Sequence, residues 1–153
     1  MQETDKAWLA GIIDGEGSIF IMRQKRKDRE RDTNYILRVT VESTDPFMST
    51  ECYKLAGGCQ IQQKKDPRED RSDTLKWQLN GKKAAKFLSL ILPYLRVKTT
   101  QAKLAIEFQT QTKKHWRHMA PEDYKNQEQK YLSLKQAKLD LKLGKLTHNF
   151  LEK

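Results

Sequence analysis

The sequence predicts an α+β domain. Three observations carry that reading. Residues 34–42 alternate strictly, with Tyr35, Leu37, Val39 and Val41 set against Asn34, Ile36, Arg38, Thr40 and Glu42, as in a half-buried strand. Two strand pairs are visible, each split by a polar, charged tract. Stretches with helical apolar spacing bracket both pairs. The order is therefore helix, hairpin, helix, hairpin, then helices, and the two antiparallel hairpins can join in one sheet.

The elements follow in turn. Thr4 is the expected N-cap of the first helix, with Asp5 in its first turn. Trp8, Leu9, Ile12 and Ile13 recur at helical spacing, and Gly15 and Gly17 end the helix. Ile19-Phe20-Ile21-Met22 reads as a strand that is apolar on both faces. Arg23 to Asp32 reads as its hairpin loop, and the alternating strand comes next. Asp45-Pro46 opens a helix with proline at its first position. Phe47, Met48, Cys52, Tyr53 and Leu55 pattern that helix, and Gly57-Gly58 stops it. Residues 59–64 form a third strand and Lys65 to Asp73 its loop. Leu75, Trp77 and Leu79 alternate with Lys76 and Gln78 on the fourth strand, which Asn80-Gly81 ends. Helices are expected over Lys82 to Leu92, Thr99 to Lys113, Pro121 to Leu134 and Lys135 to Leu143. The series Leu132, Leu134, Leu139, Leu141, Leu143 and Leu146 is expected to pack as core.

Composition narrows the function. The 153 residues suit one domain. Thirty Lys and Arg against 20 Asp and Glu give a net charge of +10 and a pI near 9.6, the electrostatic footprint of a polyanion binder. Mean hydropathy is −0.87, and no run approaches the ~18 apolar residues of a membrane span, so no membrane partner is expected. The polar, acidic start, Met1 to Lys6, is unlike a secretory signal. Cys52 and Cys59 lack CxxC spacing and read as reduced thiols of an intracellular protein. His115 and His118 stand three apart, with no cysteine close in sequence. They read as solvated or phosphate-contacting side chains rather than zinc ligands.

The strand faces opposite the core carry Asn34, Arg38, Thr40, Gln60, Gln62, Lys64, Lys76 and Gln78. Amide and basic side chains on a β-ribbon are the ones that read base edges in a major groove. Gln24 on the first strand joins this set. Arg26, in the basic loop, reads as a phosphate or outer-base contact, and the lysines of the last third as further backbone contacts.

The segment Leu9-Ala10-Gly11-Ile12-Ile13-Asp14-Gly15-Glu16-Gly17 stands apart. Gly11 and Gly15 are four apart, so they share one helix face. Glycine inside a helix costs about 1 kcal/mol against alanine. Close approach of another helix would compensate. With no second copy of the pattern in the chain, the simplest partner is the same helix of a second subunit across a two-fold axis. Ala10, Gly11, Asp14 and Gly15 are the residues expected at that contact. Asp14 and Glu16 lie at the negative end of the helix dipole, which is unfavourable for carboxylates. Either they are solvated there, or a divalent cation sits between them and phosphate oxygens.

This segment resembles the LAGLIDADG motif of homing endonucleases, matched here as LAGIIDGEG. The αββαββα order resembles that family's core over about residues 4–113, with a C-terminal helical region over about 121–153. The stretch Leu92 to Ala102 is similar to the segment that supplies an active-site lysine in members with one motif, and Lys98 matches that lysine. The resemblance implies a single-domain, homodimeric, site-specific double-strand DNA endonuclease whose antiparallel, saddle-shaped sheet grips a long pseudo-palindromic site. Cleavage would leave 3′ overhangs. Glu16 would be the metal-ligating acid, joined by the Gly15 carbonyl. The metal would be Mg²⁺, with Mn²⁺ or Ca²⁺ able to substitute in binding. Asp14 would be a structural residue of the helix end. Some relatives with one motif carry a Gln that orders solvent around the metals near where Ser43 falls, so the resemblance makes Ser43 the candidate catalytic residue at that position, and a basic residue of theirs is replaced here by Phe47. The family also includes intron RNA maturases, and a non-cleaving DNA-binding regulator on the same fold is a further alternative. A chloroplast, mitochondrial, bacterial or phage source is left open.

Overall fold

A computed structural model describes residues 1–25, 33–58, 62–64, 73–112 and 120–144. In chain order the elements are α1 (Glu3–Gly15), β1 (Gly17–Lys25), β2 (Thr33–Ser43), α2 (Pro46–Ala56), β3 (Gln62–Lys64), β4 (Thr74–Asn80), α3 (Gly81–Ile91), a 3₁₀ turn (Leu92–Tyr94), α4 (Thr99–Gln111) and α5 (Pro121–Lys142). The αββαββα order expected from the sequence is the order observed. The strands form one antiparallel sheet in the order β1-β2-β4-β3. The two hairpins therefore meet at β2 and β4, where Val39 pairs with Leu79 and Val41 with Trp77.

One face of the sheet is the core. Ile19, Ile21, Tyr35, Leu37, Val39, Val41, Trp77 and Leu79 are buried against Leu9 and Ile13 of α1, the Phe87, Leu88 and Ile91 stripe of α3, and Ala105 and Phe108 of α4. Fully burying each large aliphatic side chain stabilises by roughly 1.5–3 kcal/mol. Trp77 is the largest of the buried side chains. Its Phe87 neighbour meets it edge-on at 5.4 Å, and its ring nitrogen donates to the Gly57 carbonyl at 2.6 Å. That bond ties the end of α2 to the second hairpin. Gly57 itself stops α2 at φ 68°, a left-handed conformation that glycine adopts without strain.

Several boundaries differ from the expectation. The first helix starts one residue before Thr4: Gln2 is its N-cap, and the Gln2 amide donates to the Asp5 carboxylate. β1 runs past the apolar run at both ends, because β2 is long enough to pair it from Gly17 to Lys25. The last helix is continuous from Pro121 to Lys142, since neither Gly nor Pro interrupts it. Of its leucines only Leu134 is core. Leu132, Leu139 and Leu143 are exposed, because α5 packs through Gln127, Tyr131, Leu134 and Ala137 instead. Leu146, Cys59, His115 and His118 lie outside the described residues. Cys52 is buried and free. No described helix is long and apolar enough to cross a membrane.

Candidate active site and nucleic-acid interface

α1 hands over to β1 through one residue, Glu16. Gly17 makes so short a connection possible. A Cβ there would stand 2.6 Å from the Ile13 Cα and 2.8 Å from its carbonyl oxygen. The strand leaves the helix in backbone contact with it.

The two acids of the motif diverge. Asp14 accepts the backbone N–H groups of Arg96 at 2.7 Å, Val97 at 3.1 Å and Lys98 at 2.9 Å. Its carboxylate is thus occupied in holding the segment before α4 to the end of α1. Glu16 is exposed, and its carboxylate makes no hydrogen bond or ion pair among the described residues.

Lys98 folds back over the same helix end. Its ammonium donates to the carbonyls of Ile13 at 2.7 Å, Asp14 at 2.8 Å and Gly17 at 2.8 Å. An ammonium has three N–H donors, and all three are used. The cation sits where the macrodipole of α1 is negative, which offsets the acids clustered there. Burial pulls the Lys98 pKa below the ordinary lysine value; Asp14 opposes that shift, Lys138 adds to it and Glu16 opposes it.

Lys138 belongs to the lysines of the last third that the sequence marks only collectively as backbone contacts. It reaches the junction from α5 and donates to the Ser18 hydroxyl at 3.1 Å, with its ammonium 5.6 Å from the centre of the Phe20 ring. Burial lowers its pKa as well. Nothing in the sequence distinguishes it among the lysines of α5.

Ser43 has a local role in the structure. Its hydroxyl accepts the Asp45 N–H at 3.0 Å, and the Asp45 carboxylate in turn caps α2 through the Phe47 N–H at 2.9 Å. Phe47 is 63% exposed.

The expected subunit contact is only partly on the surface. Ala10 is wholly buried within the chain, because position 10 turns with Leu9 and Ile13 towards the core. Gly11 and Gly15 are exposed, and a Cβ on either would meet nothing within 4 Å. Gly11 lines an open notch of about 370 Å³ with Ala7, Asp14, Pro93, Tyr94 and Arg96.

The outer face of the sheet gathers most of the expected base-reading residues. By register, Gln24 faces Asn34, Phe20 faces Arg38, Met22 faces Ile36, Thr40 faces Gln78, and Gln62 faces Lys76. Lys64 pairs with Thr74. Arg26 and Gln60 lie outside the described residues. Thr40 is only 5% exposed, because it sits mid-sheet between Ser18 and Gln78. Asn80 belongs to this face too: the Arg38 Nε donates to its side-chain oxygen at 3.1 Å. Reading Asn80 only as a strand end concealed this. Lys76 pairs with Glu42 at 2.8 Å. Exposed pairs of this kind are worth at most about 1 kcal/mol, so a ligand could displace them readily.

The αββαββα core with its single antiparallel sheet in the order β1-β2-β4-β3 has the homing-endonuclease fold. Solved structures of that fold match most of this chain. The homing endonuclease I-CvuI, in complex with the I-CreI target in the presence of Mg, superposes with a TM-score of 0.74 at 22% identity, covering 88% of this chain and 82% of that one. The archaeal intron-encoded homing endonuclease I-Vdi141I complexed with DNA gives 0.74 at 14% identity, covering 90% and 86%. The LAGLIDADG homing endonuclease I-GzeII in complex with its DNA target gives 0.58 at 16% identity; 84% of this chain matches 43% of that one. No family model and no curated protein matches the sequence.

Proposed function

We propose that the chain is a metal-dependent, site-specific double-strand DNA endonuclease acting as a homodimer. The observation that carries this reading is Glu16. It is the motif acid left unengaged, at a helix end that also holds two lysines, at one end of a sheet face built of amide and basic side chains. A purely DNA- or RNA-binding module gains nothing from a bare carboxylate where phosphates approach.

The Glu16 carboxylate and the Gly15 carbonyl are hard oxygen donors of the kind Mg²⁺ takes. No group of three His, Cys, Asp or Glu among the described residues could hold a metal ion. A second copy's Glu16 and the DNA phosphates would complete the donor set. When bound, the ion supplies charge stabilisation for phosphodiester hydrolysis. Asp14 holds the junction rigid, so that Glu16 is presented from a fixed backbone. Lys98 supplies positive charge through space while capping α1; direct contact with phosphate or water would require it to release a carbonyl. The exposed Gly11 and Gly15, which no part of their own chain covers, support a close helix–helix contact with a second subunit. Arg38, Gln78, Asn34 and Gln24 read bases, and 3′ overhangs follow from the likeness to the family.

The test uses the uninterrupted form of the protein's own locus as substrate. Mg²⁺-dependent double-strand breaks that disappear with EDTA and fall at least ~100-fold in Glu16→Gln, the scale of removing one transition-state charge stabiliser, support the enzyme. Tight DNA binding without cutting in any divalent metal would instead indicate a regulator. Splicing promoted through bound intron RNA, again without cutting, would indicate a maturase.

A further inference from the structure

We propose that Lys138, carried to the helix–strand junction by α5, binds a DNA phosphate directly beside Glu16. The placement beside Glu16 rests on the endonuclease reading; the phosphate interaction itself is tested separately. Lys98 has no donor to offer, since its three N–H groups already bind three carbonyls. Lys138 has one oxygen acceptor among the described residues, the Ser18 hydroxyl, which leaves two donors for a ligand. Ser18 follows Glu16 by two residues, roughly 7 Å along a strand. Ser18 and Phe20 both belong to the outer face of the sheet, so the ammonium held against them is presented on the side where DNA would lie. α5 itself is fixed to β2 by the Tyr35–Tyr131 ring contact at 5.7 Å and to the end of α4 by the Gln127–Thr112 hydrogen bond at 3.3 Å. The cation is therefore delivered from a helix packed on the core through Tyr131 and Leu134.

The experiment measures affinity of the full chain for a random-sequence DNA duplex as a function of salt, alongside thermal melting. For each phosphate that a protein ceases to neutralise, the slope of log affinity against log salt becomes shallower by about 0.9. Lys138→Met is expected to lower the slope by about that amount per chain, and Lys138→Arg to restore it. Should Lys138→Met not fold, Lys138→Gln, which keeps a donor for Ser18, gives the same reading. A wild-type slope in the uncharged Lys138 variants overturns the proposal. The nuclease reading fails by a different result, the absence of Mg²⁺-dependent cutting by the wild-type chain.

Discussion

Asp14 and Lys98 hold one another through main-chain atoms. The Asp14 carboxylate accepts the Lys98 backbone N–H at 2.9 Å, and the Lys98 ammonium donates to the Asp14 backbone carbonyl at 2.8 Å. Each side chain thus fastens the other residue's backbone, and the end of α1 is closed from both sides. Removing one partner leaves backbone groups unpaired at a cost of about 1–3 kcal/mol. Asp14→Ala and Lys98→Met should each lower Tm, by on the order of 2–4 °C per kcal/mol for a chain of this size. Their double variant should lose less than the sum, because both act on one clasp. Thermal denaturation of the four proteins checks this, and strict additivity would contradict it.

The motif glycines should respond in opposite ways to alanine. At Gly17 the new methyl would meet the Ile13 backbone at 2.6 Å, so Gly17→Ala should unfold the chain or cost several kcal/mol, of the order seen for overpacked sites. At Gly11 it would meet nothing in its own chain, and alanine is favoured by about 1 kcal/mol in a helix. Gly11→Ala should therefore keep or raise the Tm of an isolated chain while weakening self-association. Sedimentation equilibrium together with thermal melts separates the two effects.

Trp77 should be the most sensitive core position. Trp77→Ala removes the largest fully buried side chain and is expected to cost about 3–5 kcal/mol. Trp77→Phe keeps most of the volume and gives up the bond to the Gly57 carbonyl, for about 1–2 kcal/mol. Denaturant titrations should rank the variants in that order.

Cys52 gives a pH signature. Burial pushes its thiol from 9.0 up to about 12, with the Glu51 charge acting in the same direction. Between those values the folded chain keeps a proton that the unfolded chain releases. The contribution is therefore fully present below about pH 9 and is lost as pH rises towards 12. In a Cys59→Ser background, Cys52→Ala should flatten the alkaline decline of stability relative to its parent. Iodoacetamide at about pH 8, where a free thiol begins to ionise, should label Cys52 only after unfolding.

Much of this was legible in the residues. The alternation of Tyr35 to Val41 placed β2 and chose its buried face, because the core positions recur at every second residue. The Asp45-Pro46 and Gly57-Gly58 signals set the bounds of α2 nearly to the residue. β1 was harder, since Phe20 and Met22 are as apolar as Ile19 and Ile21; only pairing with β2 shows which face is core. Ala10 was misplaced for a related reason: a small residue in a small-residue motif gives no sign of which neighbour it packs on. The site was half legible. The motif singled out Glu16 and Asp14, and physical reasoning about the dipole flagged both acids as misplaced. What answers them comes from residues more than 80 positions away, Lys98 with the 96–98 amides, and no local pattern encodes such distant contacts. Lys138 was marked only as one of the lysines of the last third, for the same reason.

The hydrogen bond from Arg38 to Asn80 joins neighbouring strands from different hairpins. A swap at position 38 alone would remove the donor that the Asn80 side-chain oxygen now accepts. Under the proposed function, recoding the target preference of this surface is a problem of matched pairs. Libraries that vary positions 38 and 80 together, and 42 with 76, should yield sharper new specificities than libraries that scan one site at a time.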